Sequence, residues 1–269
     1  FSWKISSRTS LDGAAGIFHQ HLPLILLFQN EGRKSLKDPV AYHAVLGMRN
    51  LLTDNTRFSV EAYIKEYDRL PLDPAQPSLF IFDEMFYGDH FTDHEYLLDT
   101  GKARSYGIEF MVQKKLAKKL YGVISASYFR SRYRGLDGVW RNRVYDNRYM
   151  FSAEGGYKLN KFWEFGLKWI YAGGAPYTPF DVIASLAVNS GIFNETRING
   201  ERLPAYHSLN LRVDKRFYFG SSNLIIYFSV WNAYNRKNIF SYYWNTIDRK
   251  PDHVLGWGIL PVLGVEFEF

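Results

Sequence analysis

The 269-residue chain contains no cysteine, which excludes a disulfide framework, a thiolate zinc site and a cysteine nucleophile. Long hydrophobic runs are missing too. The longest wholly apolar stretch is about seven residues, Leu22 to Phe28, against the ~20 that a membrane-spanning helix needs. Charge of one sign is not concentrated: 33 basic and 27 acidic side chains give +6, and the basic ones are scattered, so nucleic acid is not an expected partner. Enzyme signatures are absent as well. No Gly-x-Ser-x-Gly elbow, phosphate-binding loop, His-Glu-x-x-His or dinucleotide fingerprint stands in a suitable context. A mean hydropathy of −0.27 has the look of a water-soluble chain. What the sequence has in excess is aromatics, 18% of residues (20 Tyr, 21 Phe and 7 Trp), more than an ordinary core uses and suited to membrane–water interfaces.

Apolar side chains recur with period two. In 161–172, Trp163, Phe165, Leu167, Trp169 and Tyr171 share one face, and Glu164, Gly166 and Lys168 the other. Phe58, Val60, Ala62 and Ile64 oppose Ser59, Glu61 and Lys65, while Tyr106, Ile108, Phe110 and Val112 oppose Glu109 and Gln113. Only a strand sorts residues in this way. The alternation predicts about 11 strands, near 1–6, 9–20, 40–50, 57–69, 102–115, 119–133, 147–159, 161–174, 205–218, 222–235 and 257–269. Many are long enough to cross a bilayer, which takes ~9–11 tilted residues. Their connections alternate short and long, with long ones near 21–39, 70–101, 134–146, 175–204 and 236–256. Outer-membrane barrels show that asymmetry, with short periplasmic turns and long outer loops. A soluble sandwich or propeller would have shorter strands and more regular turn signals. The expected fold is therefore all-β, an antiparallel transmembrane β-barrel. An odd strand count does not close a bacterial barrel. The opening Phe1-Ser2-Trp3-Lys4-Ile5-Ser6 alternates from the first residue without an initiator methionine or a leader. The expectation is a processed protein or a piece of a longer one.

Several segments resemble one family. RINGERLPAYHSLNLRVDKRF (197–217) and NLIIYFSVWNAYNRKN (223–238) resemble strand motifs near the C-terminus of TonB-dependent outer-membrane receptors. GGAPYTPFD (173–181) and GIFHQ (16–20) are similar to the family's strand-to-loop exits, and LPVLGVEFEF (260–269) to its final strand. The overall flavour resembles members from Bacteroidota-like bacteria. The resemblance implies that residues 1–269 form the C-terminal portion of a plugged, 22-stranded barrel in the Gram-negative outer membrane. It implies TonB-dependent active uptake of a scarce solute, no enzymatic chemistry and no cofactor. It places the plug and the TonB-contacting motif upstream of these residues. The implied partners are outer-membrane lipid and lipopolysaccharide, TonB, the barrel assembly machinery and, as an accessory, a SusD-like lipoprotein. A passive porin or small barrel of about 12 strands is the alternative, with a barrel enzyme behind it.

Candidate functional residues lie in the outer loops and on the polar strand face. Residues 71–100 carry Asp73, Asp83, Glu84, Asp89, Asp93, Glu95 and Asp99 with no lysine or arginine, whereas 132–148 are arginine-rich. These opposed loops would attract each other or present separate cation and anion sites, or else would both be solvated and meet lipopolysaccharide phosphates and their bridging divalent ions; the last reading is favoured. Trp140, Arg141, Arg143, Tyr145 and Trp244 are the ligand-contact candidates in the loops, since aromatics there stack on sugars or flat chelates or else form an interfacial girdle. Glu109 and Arg212 are the candidates on the lumen wall. His90, Asp93 and His94 are weak metal-ligand candidates, because loops rarely hold the helical register that His-x-x-x-His needs. Phe267 and Phe269 resemble the C-terminal aromatic signal for barrel assembly.

Overall fold

The computed structural model describes residues 1–24, 26, 36–84 and 94–269. In chain order its strands are β1 (Ser2–Lys4), β2 (Thr9–His19), β3 (Val40–Thr53), β4 (Thr56–Leu72), β5 (Leu98–Ala117), β6 (Leu120–Arg134), β7 (Trp140–Asn142) and β8 (Tyr149–Lys158). They continue with β9 (Trp163–Ala172), β10 (Pro176–Tyr177), β11 (Glu201–Arg202), β12 (Tyr206–Phe219), β13 (Ser222–Trp231), β14 (Ile239–Asn245), β15 (Lys250–Leu255) and β16 (Leu260–Glu268). One antiparallel sheet runs β1-β2-β3-β4-β5-β6-β8-β9-β12-β13-β16, with β7 added to β6 beyond the end of β8. These eleven path strands coincide in order and approximate position with the expected ones. The pairs β10–β11 and β14–β15 form two small sheets inside long loops. Among the described residues the edges β1 and β16 do not pair with each other, so the sheet is a barrel segment that is not closed.

The register explains how the alternation becomes two surfaces. One row across the sheet is Phe58–Val112–Ile124–Ala153–Trp169–Leu209. Its neighbour one residue along is Arg57–Gln113–Val123–Glu154–Lys168–Asn210. Because side chains alternate, a slip by one residue would exchange these faces, so the pattern fixes the register. Polar neighbours in the second row bond to each other: Arg57 Nη2 donates to Gln113 Oε1 at 2.8 Å, and Lys168 Nζ lies 3.0 Å from Glu154 Oε2. Short turns close one end. The β5–β6 hairpin turns on Lys118 and Lys119, both at positive φ (48° and 75°), the hand that suits the twist of the flanking strands.

Among the described residues no second layer covers the apolar face of the sheet. Leu167 is 46% exposed, Leu263 72% and Val265 65%. In water so large an apolar surface would drive association; against hydrocarbon it costs nothing. The small buried core sits instead at the long-loop end, where Leu70, Leu72, Phe80, Ala103 and Tyr133 pack together. No described helix is long and apolar enough to span a membrane. The face assignment predicts that Leu167→Arg, near the middle of β9 on the apolar face, destabilises the lipid-embedded full-length barrel by ~2–4 kcal/mol. Asn210→Arg, on the opposite face, should change stability far less. Urea unfolding in lipid vesicles measures both, and equal effects would refute the assignment.

Candidate functional site

The polar face of the sheet and the loops at one end form the candidate site. At the short-turn end of the polar face, Glu164 collects Tyr121, which donates its hydroxyl proton to Oε1, Arg216 at 3.2 Å and Lys158 at 3.8 Å. Beside it Arg212 binds Asp214 at 2.6 Å and lies over the Tyr227 ring, 3.9 Å from its centroid. Glu164 and Asp214 are buried, yet each has a cationic partner, which offsets the cost of removing a carboxylate from water. Glu109, level with Glu61 on β4 and Ser127 on β6, is exposed on the same polar face. Two of the candidate residues, Glu109 and Arg212, thus stand on the wall that a solute inside a closed barrel would pass.

At the long-loop end the acidic and basic loops meet. Arg143 donates to Asp83 Oδ1 through Nε and Nη2, at 3.0 and 2.7 Å, and the Val144 amide donates to Oδ2 at 3.1 Å. The Arg143 guanidinium also covers the Phe80 ring, which stacks on Tyr133 with centroids 4.7 Å apart. Of the arrangements the loop charges allow, mutual attraction is realised between Arg143 and Asp83. The physical reason is the apolar content of the acidic loop, whose Phe80 and Ile81 are buried and carry Asp83 with them. Arg141 is held by Asp137 four residues before it, and that guanidinium keeps the Asp137 carboxyl below its usual range. Neither arginine is left without a carboxylate.

Asp146 is the buried centre of the next loop. Fully inaccessible, it accepts the Ser131 amide at 2.6 Å and pairs with Arg202; Arg130 Nε lies 3.5 Å away. Burial pushes the Arg202 pKa down and the pair with Asp146 opposes that shift. Asn142 and Asn199 each donate an amide to the other's backbone carbonyl, at 3.1 and 2.8 Å, joining the same two loops. Farther out, Tyr177 donates to Glu201 at 2.8 Å and packs on Tyr242, while Phe180 lies between Phe193 and the edge of Trp244. Sequence reading missed Asp146, Asn199 and Arg202 as organisers. Their partners lie more than fifty residues away, at 56 and 57 positions, and no local pattern encodes that separation.

The structure separates the remaining loop candidates. Trp140 lies under the Arg104 guanidinium, 4.3 Å from its ring centroid, and Trp244 is buried with its Nε1 proton unbonded. Tyr145 is 54% exposed. His94 and Asp73 form a buried pair at 2.8 Å. His90 and Asp93 lie outside the described residues, and among the described residues no group of three metal-binding side chains comes together. Phe267 and Phe269 stack at 6.2 Å at the end of β16, on the rim with the short turns.

The sequence pattern of the TonB-dependent receptor-like β-barrel family matches residues 27–233, more than half of the chain. This chain belongs to the TonB-dependent receptor β-barrel family. That membership makes it an integral β-barrel of the Gram-negative outer membrane, in a family of receptors and transporters. Among solved structures it is similar to the ferric-catecholate import receptor Fiu of E. coli K12, with a TM-score of 0.66 and 11% identity over 98% of this chain and 33% of that one. The ferric citrate transporter FecA gives 0.68 and 13% over 99% and 37%. FpvA of P. aeruginosa, solved with heterologous pyoverdines, gives 0.68 and 11% over 98% and 31%. The receptor chain thus spans about a third of the length of these structures. A comparison with curated protein sequences gives no match.

Two outcomes follow for the receptor's loops. Asp146→Ala leaves Arg130 and Arg202 facing each other without their carboxylate, a loss of ~3–5 kcal/mol. Proteolysis within 173–205 should then accelerate on intact cells while the barrel stays heat-modifiable. The second outcome concerns Tyr177, whose pKa is raised by burial and by its bond to Glu201. A raised folded pKa means that this contribution is present below the ordinary tyrosine value of ~10 and is lost as pH rises past it. Alkaline loosening of the loops should therefore be smaller in Tyr177→Phe, as followed by proteolysis against pH.

Proposed function

We propose that this receptor chain is half of the wall and mouth of a plugged, 22-stranded barrel that takes up a scarce solute across the outer membrane, driven through TonB. The observation that carries the reading is the family match, joined to a sheet with a wet polar face, a bare apolar face and interlocked long loops on one rim. An open sheet in lipid leaves edge amides and carbonyls unpaired at several kcal/mol each. Pairing β1 and β16 with further strands supplies the missing bonds, and the solved relatives are long enough to hold them. The plug and the TonB-contacting segment belong to the remainder of such a protein.

In this reading the solute meets Tyr145 and the surfaces beside Arg141 and Arg143 at the mouth, and then Glu109 and Arg212 along the lumen. Trp140 and Trp244, stacked or buried, hold the loops rather than touch the solute. The solved relatives are described as receptors or transporters of ferric catecholate, ferric citrate and ferric pyoverdine, so ferric chelates are the first solutes to try. Binding by fixed loops and release by an energised plug suits a solute too dilute to diffuse in usefully. The barrel assembly machinery would read the exposed terminal Phe269.

Uptake by cells carrying the full-length protein should stop on adding an uncoupler and on deleting TonB. Uptake that persists in both would make the protein a passive pore. Deleting Phe269 should lower folded outer-membrane levels with synthesis unchanged, and a normal heat-modifiable barrel in that deletion would remove its role as an assembly signal.

A further inference from the structure

At the long-loop rim, on the polar face, β12, β13 and β16 meet around a cavity of about 300 Å³. Its walls include Tyr206, Ser208 and Asn210 of β12, Trp231 at the end of β13, Trp257 just before β16 and Leu260 at its start. Strand phase fixes the side on which it opens. Tyr206, Ser208 and Asn210 alternate into Arg212, and Trp231 alternates back to Tyr227, whose ring lies against Arg212. A tryptophan on that face does not meet lipid, so an interfacial girdle does not account for Trp231. Yet Trp231 is 52% exposed and Trp257 79%. Large rings left bare over a wet lumen cost free energy until a ligand covers them.

The frame of the cavity is fixed by asparagines at every third position, Asn232, Asn235 and Asn238, each bonded to another segment. Asn232 Nδ2 donates to the Trp257 carbonyl at 3.0 Å, and Asn235 Oδ1 accepts the Ile259 amide at 3.0 Å. Asn238 accepts the His207 amide at 3.1 Å and donates to the His207 carbonyl at 3.0 Å. Gly258 permits the close approach, since a Cβ there would lie 2.7 Å from Asn235 Oδ1. Asn210 keeps donor capacity. Its Oδ1 accepts from Ser208 Oγ at 3.1 Å and from the Asn232 amide at 3.0 Å, and its Nδ2 donates to nothing among the described residues. No aspartate, glutamate, lysine or arginine lines the cavity. Arg212, two residues along from Asn210, is held by Asp214, and Arg236 donates to Asn238 Oδ1 and to the Ala205 carbonyl.

Bare flat rings beside a free amide and a hydroxyl, with no ionised side chain among them, match one ligand chemistry. A sugar ring offers C–H bonds on its face and hydroxyls at its edge. The face lies on an electron-rich indole ring, and the hydroxyls bond amide and hydroxyl groups. An anionic chelate would instead call for cations on the wall. We propose that this cavity is a subsite for a neutral oligosaccharide, with Trp231 and Trp257 as its stacking platforms and Asn210 and Ser208 as partners of its hydroxyls. The inference rests on the lumen being the path of the solute and goes beyond that reading by naming the solute's chemistry.

The test is isothermal titration of the full-length, detergent-folded protein with hexasaccharides of glucose (α- and β-linked), mannose and xylose, and with ferric citrate. A neutral hexasaccharide should bind, with an affinity that salt leaves nearly unchanged. Trp257→Ala should weaken that binding roughly tenfold or more, and Trp257→Phe, which keeps a ring, should retain more of it. Trp257 lies outside the strand ladder, and heat modifiability checks that the variants fold. On the wild type, the bound sugar should also protect Trp231 and Trp257 from oxidation by N-bromosuccinimide, read by peptide mass spectrometry. Binding of none of the four sugars, as when the plug already fills the cavity, would overturn the proposal. So would sugar binding that leaves both tryptophans unprotected, or protection of them by ferric citrate and not by a sugar. The two readings fail separately. TonB-dependent uptake of ferric citrate without hexasaccharide binding counts against the sugar subsite alone, and hexasaccharide binding without TonB-dependent uptake counts against active transport alone.

Discussion

Hydrocarbon offers no hydrogen bonds, so each backbone amide and carbonyl within the bilayer must find its partner in the neighbouring strand. The rest of this structure depends on that constraint. It explains why consecutive path strands pair in chain order, why they run up to twenty residues, and why the turns at one rim are tight. It also explains why the sheet cannot be stable in lipid with both edges bare. Side-chain packing, which organises a soluble protein, is secondary here; the ladder sets the frame and the side chains only choose which face meets which medium.

The two faces then solve different problems. The apolar face needs only to be greasy, so leucine, phenylalanine and tryptophan stand exposed on it with no packing partner across a core. The polar face carries charges, several of which pair within the sheet through Lys168–Glu154, Arg212–Asp214 and the cluster on Glu164. Where the strands rise beyond the lipid the logic becomes that of a soluble protein. A small core of Leu70, Leu72, Phe80 and Tyr133 forms, and the buried carboxylates Asp83, Asp146 and Asp73 each have an arginine or histidine beside them.

These loop contacts bear on the functional reading. A mouth lined by independent, solvated loops would present its charges to any ion. Here Asp83 neutralises Arg143, Asp146 neutralises Arg202, and Asp137 neutralises Arg141. These three arginines therefore offer outside ligands less charge than the composition of the loops implies.

The sequence by itself determined the strands, their faces and the direction of the sheet, because these follow from local rules: period-two alternation and the contrast of short and long connections. The row Phe58–Val112–Ile124 is legible as one face from the chain alone, since each member obeys its own strand's alternation. The tertiary structure alone decided which loop charges cancel and which aromatics are spent on packing. Arg143 and Trp140 are close neighbours in one loop, yet one binds Asp83 and the other lies beneath Arg104. Those fates turn on partners far away along the chain, 60 residues in the case of Asp83, brought close only by the ladder. Coulomb and stacking energies depend on distance in space rather than along the chain.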